Sequence, residues 1–308
     1  MKDKPLVVFL VGPTASGKSS VAEKLAEQIN AEIISADSMQ VYRGMDILSA
    51  KPTLHEQKKV PHHLIDILEP TGKYSAAIFR AKALQIIEEI IRRKKIPLLV
   101  GGTGLYVKAL TRGLFSDNSK DEQLRKELAQ EAKHRGNDYL YERLKAVDAK
   151  AAEKIHPNDM RRVIRALEVF EISRRTISEL KTEIEGFDKN YDFKIFAIER
   201  VRKELYERIE LRVDKMFKLG LVDEVKKLID LPLSPTAIQA LGIKQIKAYL
   251  NKECSLDKAK ELIKRDTRHF AKRQLTWFRA EKDIVWIKAE LPDSASAIAL
   301  KIFSLLEI

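Results

Sequence analysis

Short apolar runs alternate with helix-like patterns along the first third of the chain. The first run, Leu6 to Val11, is followed by residues 19–29, where Val21, Leu25 and Ile29 recur four residues apart. That spacing places them on one face of a helix, so a buried strand is followed by an amphipathic helix. Similar patterns predict strands at 33–34 and 98–100 and a helix over 76–95. Strands alternating with helices predict an α/β fold with a parallel sheet.

The alternation stops after residue 115. Residues 116–194 are charged and helix-prone, with breaks at Gly136, Pro157 and Gly186. An apolar run at 195–198 then predicts a further buried strand, followed by helices over 202–218 and near 222–229. We therefore predict a discontinuous sheet core, residues 1–115 with 195–308, interrupted by an all-helical domain of residues 116–194.

The turn between the first strand and the first helix carries a phosphate-binding pattern. It fills G-x-x-x-x-G-K-[ST] at every fixed position, with the residues Gly12, Pro13, Thr14, Ala15, Ser16, Gly17, Lys18 and Ser19. Backbone N–H groups, the positive end of the helix, the Lys18 ammonium and a Mg²⁺ ion on the Ser19 hydroxyl would together neutralise a di- or triphosphate. The core therefore resembles that of the P-loop NTPases. The same pattern marks ATP-binding loops. Because kinases, ATPases and transferases all use it, we interpret the pattern as evidence for the shape of the loop and not for ATP as its ligand.

A carboxylate follows the second predicted strand. Asp37 comes directly after residues 32–36, whereas the strand at 97–100 closes with Gly101-Gly102-Thr103-Gly104. Phosphate-hydrolysing enzymes usually place an acidic residue there to hold Mg²⁺. Asp37 is therefore the well-placed carboxylate near the phosphates and a candidate general base.

The charge of the chain indicates a phosphate-rich partner. Its 308 residues carry a formal net charge of +12, and 44% of them are hydrophobic. Such a basic balance favours polyanions. With one cysteine, no apolar run of membrane-spanning length and a start that leads directly into the first strand, we expect a cytoplasmic protein with no membrane association.

Two basic segments are candidates for contacting a nucleic acid. Residues 258–282 hold nine Lys or Arg interleaved with His269, Phe270, Trp277 and Phe278, as suits a polyanion with exposed bases. A solvated helix with core aromatics is the alternative. In the insertion, Asn158 is the expected N-cap of a helix, which presents Arg161, Arg162 and Arg165 on one side. Simple surface solubility would also explain these three arginines.

Two other features are better explained without a ligand. Adjacent side chains on an extended segment face opposite ways, so His62 and His63 cannot chelate one metal, and we expect a hydrogen-bonded histidine in a turn. Residues 92–95 are four cations in the last turn of a helix before Pro97, where the helix dipole favours positive charge.

Several of these motifs together resemble the tRNA dimethylallyltransferase family, and the resemblance extends over nearly the whole chain. It is carried by residues 12–19, 36–47, 61–66, 101–106, 161–168, 239–244 and 272–279. Members of the family usually carry Gly where Ala36 stands and Gly-Thr where Leu48-Ser49 stand. A Gly-to-Ala change would narrow the turn beside Asp37 if that backbone needed a positive φ.

The resemblance implies a reaction and its participants. The loop would bind dimethylallyl diphosphate with Mg²⁺, and the N6 amine of the adenosine 3′-adjacent to the anticodon of a tRNA would attack the allylic carbon. Asp37, Thr14 and Lys18 would be catalytic, and Arg212 would help to bind diphosphate. The residues implied to contact tRNA are Asp37, Ser38, Met39, Gln40, Thr103, Arg125, Arg161, Arg162, Arg165, Lys272, Arg273 and Arg279. Nothing in the motifs implies a protein partner, and we expect a monomer.

Three alternatives remain at this point. A P-loop small-molecule kinase and an adenylate isopentenyltransferase would both use the same loop, but neither requires the helical insertion or the basic C-terminal segment. An RNA-binding NTPase without transferase activity would use the basic surface and treat the loop as a switch.

Overall fold

The computed structural model describes residues 4–114, 121–184, 186–290 and 293–307. The chain divides into two compact units. Unit 1 consists of Met1–Leu110 and Asp188–Ile308, and unit 2 of Thr111–Phe187.

Unit 1 is built around a six-stranded parallel sheet. Its strands are β1 (Leu6–Val11), β2 (Ala31–Ser35), β3 (His62–His63), β4 (Ile96–Gly101), β5 (Asp192–Glu199) and β6 (Ile284–Lys288). Their spatial order is β3-β2-β4-β1-β5-β6, and every pair is parallel. The predicted α/β class with a parallel sheet is confirmed. The central strand β1 precedes the phosphate loop, so the loop lies at the middle of the sheet.

The helices of unit 1 follow the strands in the βα pattern. Before unit 2 they are α1 (Lys18–Ile29), α2 (Asp46–Ser49), α3 (Leu54–Lys59), α4 (Ala76–Arg92) and α5 (Gly104–Thr111), which reaches the unit boundary. After unit 2 they are α11 (Arg202–Lys218), α12 (Leu221–Ile229), α13 (Ile243–Leu250), α14 (Leu256–Arg279) and α15 (Ala295–Leu306). The five buried residues of α1 and the apolar face of α15 pack on β1, β2, β4, β5 and β6 in one cluster that includes Val8, Leu10 and Phe196. Burying each such side chain contributes roughly 1.5–3 kcal/mol to stability.

The strand register brings three chain segments together at one edge of the sheet. Val11 pairs with Gly101 and Ser35 with Val100, so the carboxyl ends of β1, β2 and β4 are level. The backbone N–H of Ala36 donates to the carbonyl of Val100 at 2.8 Å. Ligands of open α/β sheets bind outside this edge.

The described residues of unit 2 form helices joined by turns and loops. Its helices are α6 (Glu122–Arg135), α7 (Asn137–Val147), α8 (Ala149–Ala152), α9 (Met160–Ser173) and α10 (Ile177–Leu180). Gly136, with φ of 87°, separates α6 from α7 at the predicted break. The cap of α9 is Asp159, whose carboxylate accepts from Arg162 N at 3.3 Å, so the prediction of Asn158 as N-cap was wrong.

Several local predictions needed correction. The strand predicted at 195–198 begins at Asp192, inside the stretch assigned to the insertion. Residues 62–63 form the edge strand β3 rather than a turn, with His63 Nε2 2.7 Å from Glu32 Oε2. The helix predicted over 76–95 ends at Arg92. Arg93 and Lys95 form ion pairs with the same buried Glu32 carboxylate, which gives these cations a structural role.

None of the described helices is long and apolar enough to cross a membrane.

Candidate active site

The phosphate loop has a backbone that favours glycine. Gly12 has φ of 139° and Gly17 has φ of 95°, both in the region that side chains disfavour. A Cβ on Gly12 would also lie 3.2 Å from the carbonyl oxygen of Ile198. Ala15 adopts φ of 62°, which costs about 1–2 kcal/mol for a residue with a side chain. Contacts from elsewhere must therefore hold the loop in this shape.

Lys18 is the partly buried cation of the loop. Its ammonium donates to the carbonyl oxygen of Pro13 at 2.7 Å. Burial lowers the pKa of Lys18 to about 7, while the Asp37 carboxylate raises it and the Arg212 guanidinium lowers it. Burial also lowers the pKa of Arg212, against the opposing effect of Asp37. The structure thus brings Lys18, Asp37 and Arg212 within electrostatic range of one another.

Asp37 is fixed by a tight turn at the end of β2. Its Oδ1 atom accepts from Met39 N at 2.8 Å, which orients the carboxylate. Thr103 anchors the same turn, because its hydroxyl accepts from Ser38 N at 3.2 Å and its N–H donates to Ala36 O at 3.3 Å. Gln40 accepts from the Ser35 hydroxyl at 2.8 Å. Among the described residues Asp37 Oδ2 has no hydrogen-bond partner, which leaves it available to accept a proton.

The glycines after β4 make room for neighbouring segments. A Cβ on Gly101 would lie 2.2 Å from Ala36 O, and one on Gly104 would lie 2.3 Å from Trp277 Cδ2. Ala36 itself does not have a positive φ, so the alanine causes no backbone strain beside Asp37. The other departure, Leu48, packs over Gly242, where a Cβ would lie 2.9 Å from Leu48 Cδ1.

Gln274 on α14 joins two of these segments. Its Oε1 accepts from Thr14 N at 2.8 Å, and its Nε2 donates to Gly102 O at 2.9 Å. The Gln274 side chain and its hydrogen bond to Gly102 are buried, and its hydrogen bond to Thr14 is partly buried. Gln274 therefore links the phosphate loop to the glycine turn after β4.

Sequence reasoning missed two further arginines at the loop. Arg200 Nε donates to Ser16 O at 2.7 Å, and Arg208 Nε donates to Ala15 O at 2.8 Å. Arg200 also pairs with the buried Glu204 at 2.5 Å. The sequence did contain a signal, because Glu204, Arg208 and Arg212 recur every four residues along one side of α11, and Arg200 lies four residues before Glu204.

The residues of the loop fit a metal that is bound together with its substrate. No group of three His, Cys, Asp or Glu side chains in the described ranges could hold a metal ion. Ser19 is exposed in the first turn of α1 and offers one hydroxyl oxygen. Mg²⁺ is commonly held by one or two protein groups, with water and substrate phosphates completing its shell.

The candidate tRNA contacts on α14 have different surroundings. Lys272 and Arg273 line a cavity of about 490 Å³ together with His269, Thr276 and Trp277. Arg279 instead pairs with Glu199 at 3.0 Å, and Lys260 and Lys264 share Asp214. Phe278 is fully buried. The basic segment therefore presents part of its charge and aromatic surface, while other members are structural.

The candidate tRNA contacts of unit 2 also divide into two kinds. Arg161 and Arg162 are exposed, and Arg162 pairs with Asp159 at 3.2 Å. Arg125 and Arg165 both pair with the fully buried Glu168, at 2.8 and 2.6 Å. Burial raises the pKa of Glu168, but these two guanidinium groups outweigh it and the net pKa is lowered. Arg125 and Arg165 thus neutralise a core carboxylate.

Comparison with known proteins identifies the family. The family model described as IPP transferase matches residues 40–281. The chain belongs to the IPP transferase family. It is therefore an enzyme that transfers a prenyl group, and the resemblance to tRNA dimethylallyltransferases is confirmed.

Individual relatives align with more than nine-tenths of the chain. A tRNA dimethylallyltransferase of Carboxydothermus hydrogenoformans is 50% identical over 282 residues, which cover 91% of each chain. Another IPP transferase relative, tRNA dimethylallyltransferase 2 of Geotalea uraniireducens, is 47% identical and covers 96% of both chains.

Solved structures show the same fold. The full-length tRNA isopentenylpyrophosphate transferase of Bacillus halodurans is 40% identical with a TM-score of 0.71, covering 99% of this chain and 97% of that one. A eukaryotic dimethylallyltransferase, described as acting on tRNA, is 28% identical with a TM-score of 0.85, covering 98% of this chain and 79% of that one.

Proposed function

We propose that this IPP transferase moves the dimethylallyl group of dimethylallyl diphosphate to the N6 amine of the adenosine 3′-adjacent to the anticodon in tRNA. The observation that carries the proposal is the Asp37 carboxylate within electrostatic range of two partly buried cations, Lys18 of the phosphate loop and Arg212 of α11. An alkyl transfer with a diphosphate leaving group needs both features, a base for the nucleophile and positive charge for the leaving group.

The bond changes assign a task to each residue. The N6 lone pair forms the N–C bond, the allylic C–O bond breaks, and its electron pair leaves with diphosphate. Asp37 Oδ2 takes the proton that N6 loses, because the carboxylate is already oriented by Met39 N. Lys18, Arg212 and the loop N–H groups stabilise the growing negative charge on diphosphate. Thr14 lies at the reaction centre in this proposal, on the loop segment that Gln274 holds.

The remaining loop residues and Mg²⁺ complete the donor site. Bound at the Ser19 hydroxyl, Mg²⁺ would neutralise part of the diphosphate charge. Gly12, Pro13, Ala15, Ser16 and Gly17 supply the backbone that surrounds the phosphates.

The adenine must leave its stack to reach Asp37, as bases do in other base-modifying enzymes. Ser38, Met39, Gln40 and Thr103 are the residues that we assign to the base, since they form the anchored turn around Asp37. Lys272 and Arg273 are assigned to the tRNA backbone, as are the exposed Arg161 and Arg162. Arg125, Arg165 and Arg279 would contact tRNA in addition to their ion pairs.

The proposal needs one chain and a compartment that holds tRNA. We propose that the enzyme acts as a monomer, since no motif of the chain implies a protein partner. We place the enzyme in the cytoplasm, where tRNA is modified.

A competition between acceptors tests the proposal. The protein is incubated with labelled dimethylallyl diphosphate and Mg²⁺, and with either unmodified tRNA or AMP. We expect label in tRNA and none in AMP. Label in AMP would indicate an adenylate isopentenyltransferase. No transfer to either acceptor, with phosphate transfer from ATP to a small molecule instead, would indicate a kinase.

A further inference from the structure

Two arginines, Arg208 and Arg200, donate hydrogen bonds to backbone carbonyls of the phosphate loop. Arg208, in the second turn of α11, donates through Nε to Ala15 O at 2.8 Å. Arg200, just before α11, donates through Nε to Ser16 O at 2.7 Å. These are successive carbonyls of the loop, and Ala15 is its residue with an unfavourable positive φ. The two contacts therefore act where the loop needs support.

Both guanidinium groups also reach Gly17. The Nη2 atoms of Arg208 and Arg200 lie 3.3 and 3.5 Å from the position that a Cβ on Gly17 would occupy. A Cβ at Gly17 would contact Arg200 and press slightly on Arg208, while the φ of 95° is the stronger requirement for glycine. The arginines and the loop form one packed unit.

The two arginines at the phosphate loop have only one carboxylate partner between them, Glu204, among the described residues. Arg200 is paired with Glu204, and both side chains are nearly inaccessible to water. Arg208 has no ion-pair partner among the described residues and is half-buried. Burial lowers the pKa of Arg208 and the neighbouring Arg200 lowers it further, while the Glu204 carboxylate partly opposes both effects. Positive charge that is held in place without a carboxylate partner suits an anionic ligand.

The geometry of the peptide group links the Arg208 guanidinium, which contacts the Ala15 carbonyl, to the N–H of Ser16. In a trans peptide the C=O and N–H bonds point in opposite directions. A guanidinium on the carbonyl of Ala15 therefore turns the N–H of Ser16 away from itself and polarises it. Ser16 N does point to Pro13 O, at 3.3 Å, the same oxygen that Lys18 Nζ contacts at 2.7 Å. A diphosphate oxygen is a stronger acceptor for both donors.

We propose that Arg208 and Arg200 are positioning residues for the diphosphate, acting through the carbonyls of Ala15 and Ser16. They hold the loop so that its N–H groups face the phosphates before substrate binds. The inference rests on the proposed function, which makes diphosphate the ligand of the loop. Arginine suits this role better than lysine, because one planar group donates to a carbonyl through Nε and faces Gly17 with Nη2.

The test measures diphosphate binding directly. Calorimetry with inorganic diphosphate and Mg²⁺ compares wild type with Arg208→Ala, Arg208→Lys and the matched control Arg202→Ala. Arg202 lies in α11 but is exposed and contacts Tyr206, not the loop. We expect Arg208→Ala to weaken diphosphate binding about 10- to 100-fold, the effect of one lost charge-assisted hydrogen bond. Arg208→Lys should recover part of the affinity, and free guanidinium ion should partly rescue Arg208→Ala.

Arg200 needs a double variant, because removing it alone leaves the Glu204 carboxylate buried without a partner. Arg200→Met with Glu204→Met removes both charges and should also weaken diphosphate binding. Affinity for tRNA and the thermal midpoint are measured for every variant, and we expect Arg208→Ala to keep both close to wild type.

Two results would overturn the proposal. Wild-type diphosphate affinity in Arg208→Ala would show that the contact does not position the loop. Parallel losses of diphosphate affinity, tRNA affinity and thermal stability would show a general structural role. A wild-type protein that binds diphosphate but prenylates no tRNA would contradict the proposed function instead, and the diphosphate comparison would still decide the role of Arg208.

Discussion

Gln274 Oε1 accepts the backbone hydrogen bond of Thr14, at 2.8 Å across 260 residues of sequence. The amide nitrogen of the same side chain donates to Gly102 O at 2.9 Å. A glutamine is suited to this position because it offers an acceptor and a donor together. The contact connects α14, which carries Lys272 and Arg273, with the loop residue assigned to the reaction centre.

Gln274→Leu should therefore weaken catalysis and stability together. It leaves the buried Gly102 O without this partner, at a cost of about 1–3 kcal/mol, and removes the acceptor of the partly buried Thr14 N–H. We expect a lower thermal midpoint and a turnover reduced at least about tenfold, since the loop moves relative to Asp37. The exposed Gln28→Leu is the matched control. Unchanged turnover with a lowered midpoint would restrict Gln274 to folding.

The pKa of Lys18 predicts proton uptake on diphosphate binding. Burial holds this pKa near 7, below its usual 10.5, so the free enzyme is largely neutral at Lys18 at pH 8. An anion favours the charged form, so binding at pH 8 should take up a proton. Calorimetry in buffers of different ionisation enthalpy measures this uptake, and Lys18→Met, which cannot titrate, supplies the baseline. Equal uptake by both proteins would contradict the prediction.

The lowered pKa of Lys18 also determines how this residue changes the free energy of unfolding with pH. Because the folded protein binds fewer protons at Lys18 than the unfolded chain between pH 7 and 10.5, this residue makes folding more favourable as pH rises through that range. Lys18→Met should remove this contribution and should lower turnover by about 10²-fold or more.

Asp37→Asn should slow chemistry and spare binding. Asparagine keeps an oxygen for Met39 N, so the turn remains, but it cannot accept the N6 proton. We expect the single-turnover rate to fall roughly 10²- to 10⁴-fold with diphosphate affinity nearly unchanged. A wild-type rate would assign the base to another group.

The sequence was sufficient wherever a signal was local. The strand β1, the phosphate loop and α1 follow from adjacent residues, and α11 has the predicted bounds. Arg200 and Arg208 were missed because their carbonyl partners lie 184 and 193 residues away. The strand β6 was missed because its short run has exposed positions, such as Val285, and forms by pairing with β5. Nothing local indicates that Arg125 and Arg165 share Glu168.

Because Arg165 pairs with Glu168 and Arg161 does not, substitutions of these two arginines of α9 should have different effects. Arg161→Ala should reduce the slope of log K for tRNA against log salt by about one unit, with no loss of stability, because Arg161 is exposed. Arg165→Ala removes one of two guanidinium partners of Glu168 and should destabilise the protein by about 1–3 kcal/mol. A salt series of tRNA binding and a thermal melt measure both. An unchanged slope in Arg161→Ala would remove this residue from the tRNA contact.

A single-turnover reaction on an anticodon stem-loop tests whether N6 of a tRNA adenosine attacks the dimethylallyl group. One RNA carries adenosine at the target position, and the other carries purine riboside, which lacks the exocyclic amine. With adenosine we predict one diphosphate released for each prenylated RNA. With purine riboside we predict similar RNA affinity but neither prenylated product nor diphosphate release. Equal diphosphate release from both RNAs would contradict the account, because the loop would then be cleaving the donor without N6 as nucleophile.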